Sequence, residues 1–380
     1  MKRRLIAAAA LLAPACAHAD ALVDNVAGVA LDAQGREVRF SAILIDREGK
    51  IVRLLGPKEK PPRRLDWRAD MKGRHVIPGM IDAHGHVMDL GFRTLQLNLF
   101  DTRSLAEAQA ATQSYARANG PRPWIIGGGW NQEAWKLGRF PTAADLDAAV
   151  GDKPVLLSRA DGHALWANSA ALQAAGITAA TRSPAGGRIE KLANGQPAGV
   201  FVDAAMSLFD AVLPKPSPRE RNAAFMAAQE RLMANGITAT ADMGTTLDDW
   251  LTYRRMGDTN MLRVRIMSYA AGVDTALQVA GQGPTPWLYG DRLRMGGIKL
   301  YTDGALGSRG AWLKAPYADA PAQTGLGFLS DDKLLNLMSR AAMDDFQLAI
   351  HAIGDRANAQ VLDAIDELAT GFKGDRRWRI

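Results

Sequence analysis

Two histidines, His84 and His86, stand two positions apart where an apolar segment, residues 76–83, gives way to polar residues. On a β-strand, residues i and i+2 point to the same side, so both imidazoles can reach one metal ion. Neutral imidazole is a common ligand of zinc and similar ions, and Gly85 leaves room for a close approach. Active sites of parallel α/β folds lie at the carboxyl ends of strands. This position, with Asp82 beside the pair, predicts a divalent-metal site.

Lys299 lies inside another apolar segment, residues 297–301. A lysine there is costly unless it is paired or modified, and desolvation lowers the pKa of its amine, which leaves a free amine that can react. With carbon dioxide, such an amine becomes a carbamate, a carboxylate-like ligand able to bridge two metals. From strand chemistry alone, an edge-strand lysine in solvent explains the pattern equally well.

Three further polar residues are candidates for the same site. His351 ends the apolar segment 347–351 and supplies a third imidazole. His163 falls in a loop and is predicted to face a substrate, although a surface histidine accounts for it almost as well. Asp303 follows the Lys299 segment, where a carboxylate can bind substrate or cap the next element.

The segments that carry these residues alternate between strand and helix patterns, which indicates βα units. The clearest helix starts with a capping box, Ser217 with Glu220, has Pro218 in its first position and ends at Asn235-Gly236. Residues 121–200 fit the alternation badly and are interpreted as an excursion. Strands are predicted near residues 38–46, 51–55, 76–83, 124–126, 154–158, 237–241, 262–267, 295–301 and 347–351, and helices near 104–118, 217–235, 246–256, 332–345 and 355–369.

Other functional patterns are not supported. The glycines at 127–129 lack the dinucleotide fingerprint, and Gly304, Gly307 and Gly310 do not fit the spacing of a P-loop. The sequence has no G-x-S-x-G nucleophile elbow. Its basic residues are scattered, without a basic stripe interleaved with aromatics, so we expect no nucleic-acid partner.

The amino terminus has the layout of a secretory signal peptide. Residues 2–4 are basic, residues 5–17 are largely apolar, and small residues end at Ala19. The apolar run is too short to span a membrane, and no later segment resembles a membrane span. The only cysteine, Cys16, would be removed with the signal, so the mature chain would have neither disulfides nor a thiolate metal site. An ordinary N-terminal helix is the alternative.

Several of these runs together resemble the amidohydrolase superfamily, and in particular the branch that includes N-substituted formamide deformylase. The resemblance covers nearly all of residues 22–380, and the combined motifs are specific although each alone is not. The runs that carry it are residues 76–79 with 84–86, residues 128–133, residues 161–163 with 168–169, residues 299–304 and residues 351–355.

The resemblance implies an α/β fold, a (β/α)₈ TIM-like barrel in residues 71–380 with the excursion 121–200 over its mouth. Residues 20–70 would form part of a small β-sandwich built from both chain ends. One or two divalent metals, with zinc expected, would complete the site. The metal ligands would be His84, His86, Lys299 and His351, and the lysine is carboxylated in many relatives.

The family has a further histidine on its sixth barrel strand and an aspartate, the usual proton shuttle, on its eighth. This sequence contains neither, because its last residues, 378–380, stand where the sixth strand should begin. We therefore expect an incomplete barrel here, and expect residues 20–380 alone to be aggregation-prone, poor in metal and inactive.

Our first hypothesis is hydrolysis of an amide-like, non-peptide C–N bond in a small-molecule substrate. Metal ions would acidify water and polarise the carbonyl, while His163 and Asp303 would orient substrate or stabilise the developing oxyanion. A deaminase or esterase on the same barrel is the enzymatic alternative, since fold does not fix substrate. A non-catalytic remnant or a periplasmic binding protein is the alternative from outside the enzymes. Whether the protein forms a homo-oligomer stays open.

Export is the first testable prediction. Because residues 1–19 have the layout of a signal peptide, we expect the native protein in the periplasm or the medium, with a mature N-terminus at or near Asp20. N-terminal sequencing checks this, and an intact Met1 on the native protein would contradict it.

Overall fold

A computed structural model describes residues 21–380, so the signal-peptide prediction lies outside the described residues. The chain divides into two units between Met80 and Ile81. The described part of the first unit is a sheet of five strands. They are β1 (Ala21–Leu31), β2 (Glu37–Phe40), β3 (Ala42–Ile45), β4 (Ile51–Leu55) and β5 (Trp67–Val76).

The strand β1 organises this first sheet. It pairs antiparallel with β2 and β3 and parallel with β5. The predicted hairpin of β3 and β4 is confirmed. The single strand predicted over 38–46 is instead two strands, because the chain bends at Ser41, whose N–H donates to the Leu55 carbonyl 2.8 Å away. The predicted composite β-sandwich stays a prediction.

The second unit combines two sheets with helices. Its strands are β6 (Met80–Gly85), β7 (Leu97–Asn98), β8 (Ile125–Trp130), β9 (Val155–Arg159), β10 (Ala164–Ala167), β11 (Gly187–Lys191), β12 (Pro197–Asp203), β13 (Ile237–Thr245), β14 (Arg265–Ala271), β15 (Leu293–Tyr301) and β16 (Gln347–His351). Its helices are α1 (Val87–Leu95), α2 (Leu105–Ala118), α3 (Ala143–Asp147), α4 (Ser169–Ala174), α5 (Pro218–Ala234), α6 (Leu247–Asp258), α7 (Val273–Ala280), α8 (Asp331–Met343) and α9 (Asp355–Ala369), with a 3₁₀ helix at Ala204–Phe209.

The sheet that positions the candidate site has the strand order β16-β15-β14-β13-β6. The pairs from β13 to β16 are parallel, and a helix follows most strands directly, as the βα interpretation predicts. Arg379 adds a parallel bridge beside β16, at Ala349. In the part of the chain that the structure describes, this sheet is open, so the closed eight-stranded barrel remains a prediction.

Helix propensity and capping explain why the predicted helices form. The five predicted helices are confirmed with ends within two residues of those observed. At α5, Ser217 accepts from the Glu220 N–H while Glu220 accepts from the Ser217 N–H, and Pro218 occupies the first turn. The prediction missed α1, which has no side-chain cap at His86. Gly91 lies in this helix because any Cβ there would overlap the backbone of Ala224 on α5.

A bulge in β15 decides which face of the sheet carries Lys299. The register between β14 and β15 shifts beside Gly296 and Gly297, and Met295 and Ile298 consequently both pack toward the helices. Because side chains alternate along a strand, Lys299 lies on the opposite face from Ile298. Gly297 is required, since a Cβ there would overlap the Tyr269 ring, whereas a Cβ on Gly296 would lie 2.6 Å from Met267 Cε and displace the end of that side chain.

The segment predicted as an excursion is largely a second sheet with the order β11-β12-β10-β9-β8-β7. Its β7–β9 part is parallel and its β9–β11 part is antiparallel. Simple βα alternation fails here because hairpin pairing takes over after β9. No helix within residues 21–380 is long and apolar enough to cross a membrane.

Asn168 ties this second sheet together and generates a stability prediction. Its fully buried side chain accepts from the Val155 and Ala171 N–H groups and donates to the Val150 and Lys153 carbonyls. Asn168→Ala leaves these groups without partners, so we expect it to lower the free energy of unfolding by about 3 kcal/mol.

The measurement is urea unfolding followed by circular dichroism on the full-length protein. The matched control is Asn336→Ala, on the exposed surface of α8, where alanine favours the helix and should cost nothing. Equal unfolding midpoints for both variants would show that the Asn168 bonds do not stabilise the sheet.

Candidate functional site

The carboxyl ends of β6, β13, β15 and β16 open onto one cavity of about 480 Å³. Four of the five histidines within residues 21–380 line it. The side chains around the cavity are those of His84, His86, Asp89, Arg93, Asp161, His163, Met243, Lys299, Tyr301, Ala305, His351 and Ile353.

The histidine pair occupies the junction between β6 and α1. The rings of His84 and His86 lie 5.5 Å apart between centroids, at 63° to one another. The His84 N–H donates to Asp82 Oδ1 at 3.0 Å, so Asp82 fixes the backbone of the pair. Gly85 also has a packing reason, because a Cβ there would lie 2.6 Å from the Thr240 hydroxyl oxygen of β13. Close packing between strands therefore requires this glycine.

Asp242, at the end of β13, supports the pair from behind and was missed by sequence reasoning. Its buried carboxylate accepts from the Val87 N–H at 2.8 Å, from the Thr245 hydroxyl at 2.6 Å and from the Tyr253 hydroxyl at 2.9 Å. The bond to Val87 caps α1 in place of the His86 side chain. Burial raises the pKa of Asp242.

Lys299 is buried, with 3% of its surface exposed, and makes no hydrogen bond or ion pair with any of residues 21–380. Its strand β15 lies between β14 and β16, so the solvent-exposed edge lysine is excluded. Nζ lies 5.1 Å from the centroid of the Tyr301 ring. Burial lowers the pKa of Lys299 to about 8, which brings the neutral amine within reach of physiological pH.

His351 is oriented by the loop after β15. Its Nε2 lies 3.1 Å from the Gly304 carbonyl oxygen, which can only accept, so Nε2 carries the proton and Nδ1 keeps a lone pair. Burial lowers the pKa of His351. Asp303, predicted to meet substrate, lies fully buried behind this ring, with Oδ1 3.6 Å from Nε2. Its carboxylate accepts from three backbone N–H groups, those of Trp312, Ile353 and Gly354.

His163 stands across the cavity from the sheet, its ring centroid 4.9 Å from that of His351. Its Nδ1 lies 2.8 Å from Oδ1 of Asp203, whose side chain is 2% exposed. Sequence reasoning missed Asp203, because 40 positions separate the two residues and no local pattern marks the pairing. Asp203 also has φ of +50°, a conformation that costs a non-glycine residue free energy.

The glycine-rich turn after β15 now has a structural explanation. A Cβ on Gly304 or Gly310 would overlap the Asp203 carboxylate, and a Cβ on Gly307 would overlap the Arg159 guanidinium. Arg159 is buried, donates from Nε to Gln132 Oε1 at 2.9 Å and pairs with Asp161. The turn is therefore glycine-rich because two buried charged side chains lie against it.

The donor chemistry fits a divalent metal, although no three His, Cys, Asp or Glu side chains of residues 21–380 come close enough to hold an ion as they stand. The atoms around the His84 ring desolvate it and, with the Lys299 and His86 charges, lower its pKa to about 4. His84 and His351 are consequently neutral at pH 7, the state in which imidazole ligates metals. The amine of Lys299 lines the same cavity.

Comparison with known proteins finds relatives over most of the chain. The model of the Amidohydrolase family matches residues 69–380. A Bacillus subtilis protein named as an amidohydrolase, YtcJ, is 35% identical over 319 residues, which are 82% of this chain and 59% of that protein. The N-substituted formamide deformylase of Arthrobacter pascens is 28% identical over 324 residues, again 82% of this chain and 59% of the relative.

A solved structure shares the fold. The crystal structure of an uncharacterized metal-dependent hydrolase from Pyrococcus horikoshii superposes with a TM-score of 0.67 at 24% identity, and the match covers 93% of this chain and 69% of that one. The chain spans 59% of the length of each of the two curated relatives named above.

Proposed function

This chain belongs to the amidohydrolase family, and from that membership we propose that the full-length protein is a metal-dependent hydrolase acting on a C–N bond of an amide-like, non-peptide small molecule. One observation carries the proposal: four histidines and a buried, unpaired lysine line one cavity at the carboxyl ends of parallel strands. The formamide deformylase among the relatives supports the choice of bond, and the parallel pairing from β13 to β16 supports placing this open sheet in the (β/α)₈ barrel that the resemblance implies.

His84, His86, His351 and a carboxylated Lys299 would hold one or two divalent ions, with zinc the first expectation. A bound divalent ion supplies Lewis-acid chemistry, which acidifies water and polarises a carbonyl oxygen. Asp303 and Gly304 then act as positioning groups that fix the ring of His351.

His163 would act on the substrate itself. Its Nδ1–H donates to Asp203 Oδ1, which fixes the ring and leaves Nε2 free for hydrogen bonding. As an acceptor, Nε2 can orient the N–H of an amide, and once protonated it can stabilise developing negative charge on the oxygen or pass its proton to the leaving amine. Orienting an N–H and protonating the leaving amine favour an amide over an ester, because only an amide brings an N–H and a basic leaving group, whereas oxyanion stabilisation serves both.

Carboxylation of Lys299 follows from its burial without a partner. The neutral amine attacks carbon dioxide, a C–N bond forms, and one N–H proton leaves to solvent. The resulting carbamate is an anion, so it supplies negative charge beside three imidazoles. A buried anion needs positive charge nearby to compensate for its lost hydration, and bound metal ions would provide that charge.

The metal proposal predicts the effect of removing the histidine pair. The double variant H84A/H86A should lower the divalent metal bound to the full-length protein by about tenfold or more, because two ligands are lost. Elemental analysis of purified protein measures this. The control is His75→Ala, an exposed histidine outside the cavity, which should keep its metal and its hydrolysis of a chromogenic anilide.

Metal content unchanged in H84A/H86A would reject the site. A protein that binds metal through the pair but releases no amine from any amide would reject the hydrolase proposal and leave the metal site standing.

Carboxylation predicts a carbamate signal on Lys299. Full-length protein loaded with zinc in ¹³C-bicarbonate should show one carbamate carbon resonance, and Lys299→Met should remove it. Lys314→Met, which alters a lysine outside the cavity, is the matched control and should keep the resonance. A wild-type spectrum without this resonance would show that Lys299 carries no carbamate.

A further inference from the structure

A second cavity, here called the side pocket, adjoins the histidine cavity. Its volume is about 570 Å³, and it shares Gly162, His163 and Tyr301 with the histidine cavity. Its remaining wall consists of Ala185, Gly186, Asp203, Ala204, Met206, Gly327 and Phe328. A molecule whose reacting group contacts His163 can therefore extend into the side pocket without leaving the protein.

The side pocket offers no positive charge to a ligand. Among residues 21–380, its only ionisable wall residues besides Tyr301 are His163 and Asp203, and these pair with each other at 2.8 Å. Met206 and Phe328 supply most of the apolar wall. An anionic group that entered would lose its hydration and meet only the like charge of the Asp203 carboxylate, whereas an apolar group would gain by leaving water.

The walls of the side pocket are held by backbone hydrogen bonds. The Ala204 N–H donates to the Gly186 carbonyl at 3.1 Å, and the Phe328 N–H donates to the Thr302 carbonyl at 2.9 Å. Gly186 has φ of +72°, which lets the chain turn beneath Phe328. The pocket is thus formed by three anchored segments, as a preformed ligand site requires.

We propose that the side pocket binds an uncharged, apolar substituent of the substrate, while the amide itself lies in the histidine cavity. This inference rests on the proposed hydrolase function and adds the substrate class: amides that carry a bulky apolar group and no charge at its far end. The single occupant is part of the substrate, because the side pocket and the histidine cavity have Gly162, His163 and Tyr301 as common walls.

The test compares two probes of the same shape. N-benzylacetamide is neutral, and its para-carboxylate carries a charge at the far end of the ring. Isothermal titration calorimetry on full-length, metal-loaded protein should give at least tenfold weaker binding for the carboxylate. Met206→Arg, which adds a cation to the wall, should abolish or reverse this preference. Met343→Arg, at an exposed position at the end of α8, is the matched control and should leave it unchanged.

Phe328→Ala provides a second route that does not depend on a buried charge. Removing the ring should weaken binding of the neutral probe at least fivefold and leave the carboxylate unchanged, with thermal melting confirming that each variant is folded. Any one of three results would overturn the side pocket as the substituent site. They are equal affinity of the wild type for both probes, no binding of either probe, and an unchanged preference in Met206→Arg.

Hydrolysis is measured separately, so the two proposals can fail separately. Binding with the expected preference but without release of benzylamine would reject the hydrolase and keep the side pocket. Amide hydrolysis with equal KM values for both probes would keep the hydrolase and reject the side pocket.

Discussion

The close contact between β14 and β15 at Gly296 and Gly297 is the constraint on which the candidate site depends. No side chain fits at Gly297, because the Tyr269 ring of the neighbouring strand fills the space, and a side chain at Gly296 would displace the end of Met267. The register shift beside these glycines turns the last part of β15 over, so that Lys299 lies on the face opposite Ile298. Without that shift, a pleated strand would direct the amine toward the helices and the histidines would face an apolar wall.

Once β15 is set, the other site residues follow from parallel pairing. Lys299 pairs in register with Ala349 and Tyr301 with His351, which brings the ends of β15 and β16 to one edge. The buried carboxylate of Asp303 then joins the loops after both strands by accepting three backbone N–H groups. A buried anion is tolerated there because those N–H groups replace its hydration. The cavity is therefore rigid on the sheet side before any ligand arrives.

Much of this could be predicted from single residues and their spacing. Ser217 with Glu220 located the start of α5, and the apolar segments around Lys299 and before His351 located strands whose carboxyl ends meet. The strand predicted over 76–83 is correct only in its second half, because β5 ends at Val76 and β6 begins at Met80. The same reasoning could not find Asp203 or Asp242, because each acts through a partner far along the chain and its identity as a lone aspartate carries no signal. The second sheet was also beyond local patterns, since β10 pairs with β12 across the intervening α4 and β11.

Asp203 places two demands on one position. Its backbone adopts φ of +50° and ψ of −121°, which glycine reaches freely and aspartate does not. Its carboxylate, buried against Gly304 and Gly310, is nevertheless the only hydrogen-bond partner of the His163 ring among residues 21–380. Engineering guided by thermostability alone would favour glycine at 203 and so disconnect His163, which makes this position one where robustness and chemistry select opposite residues.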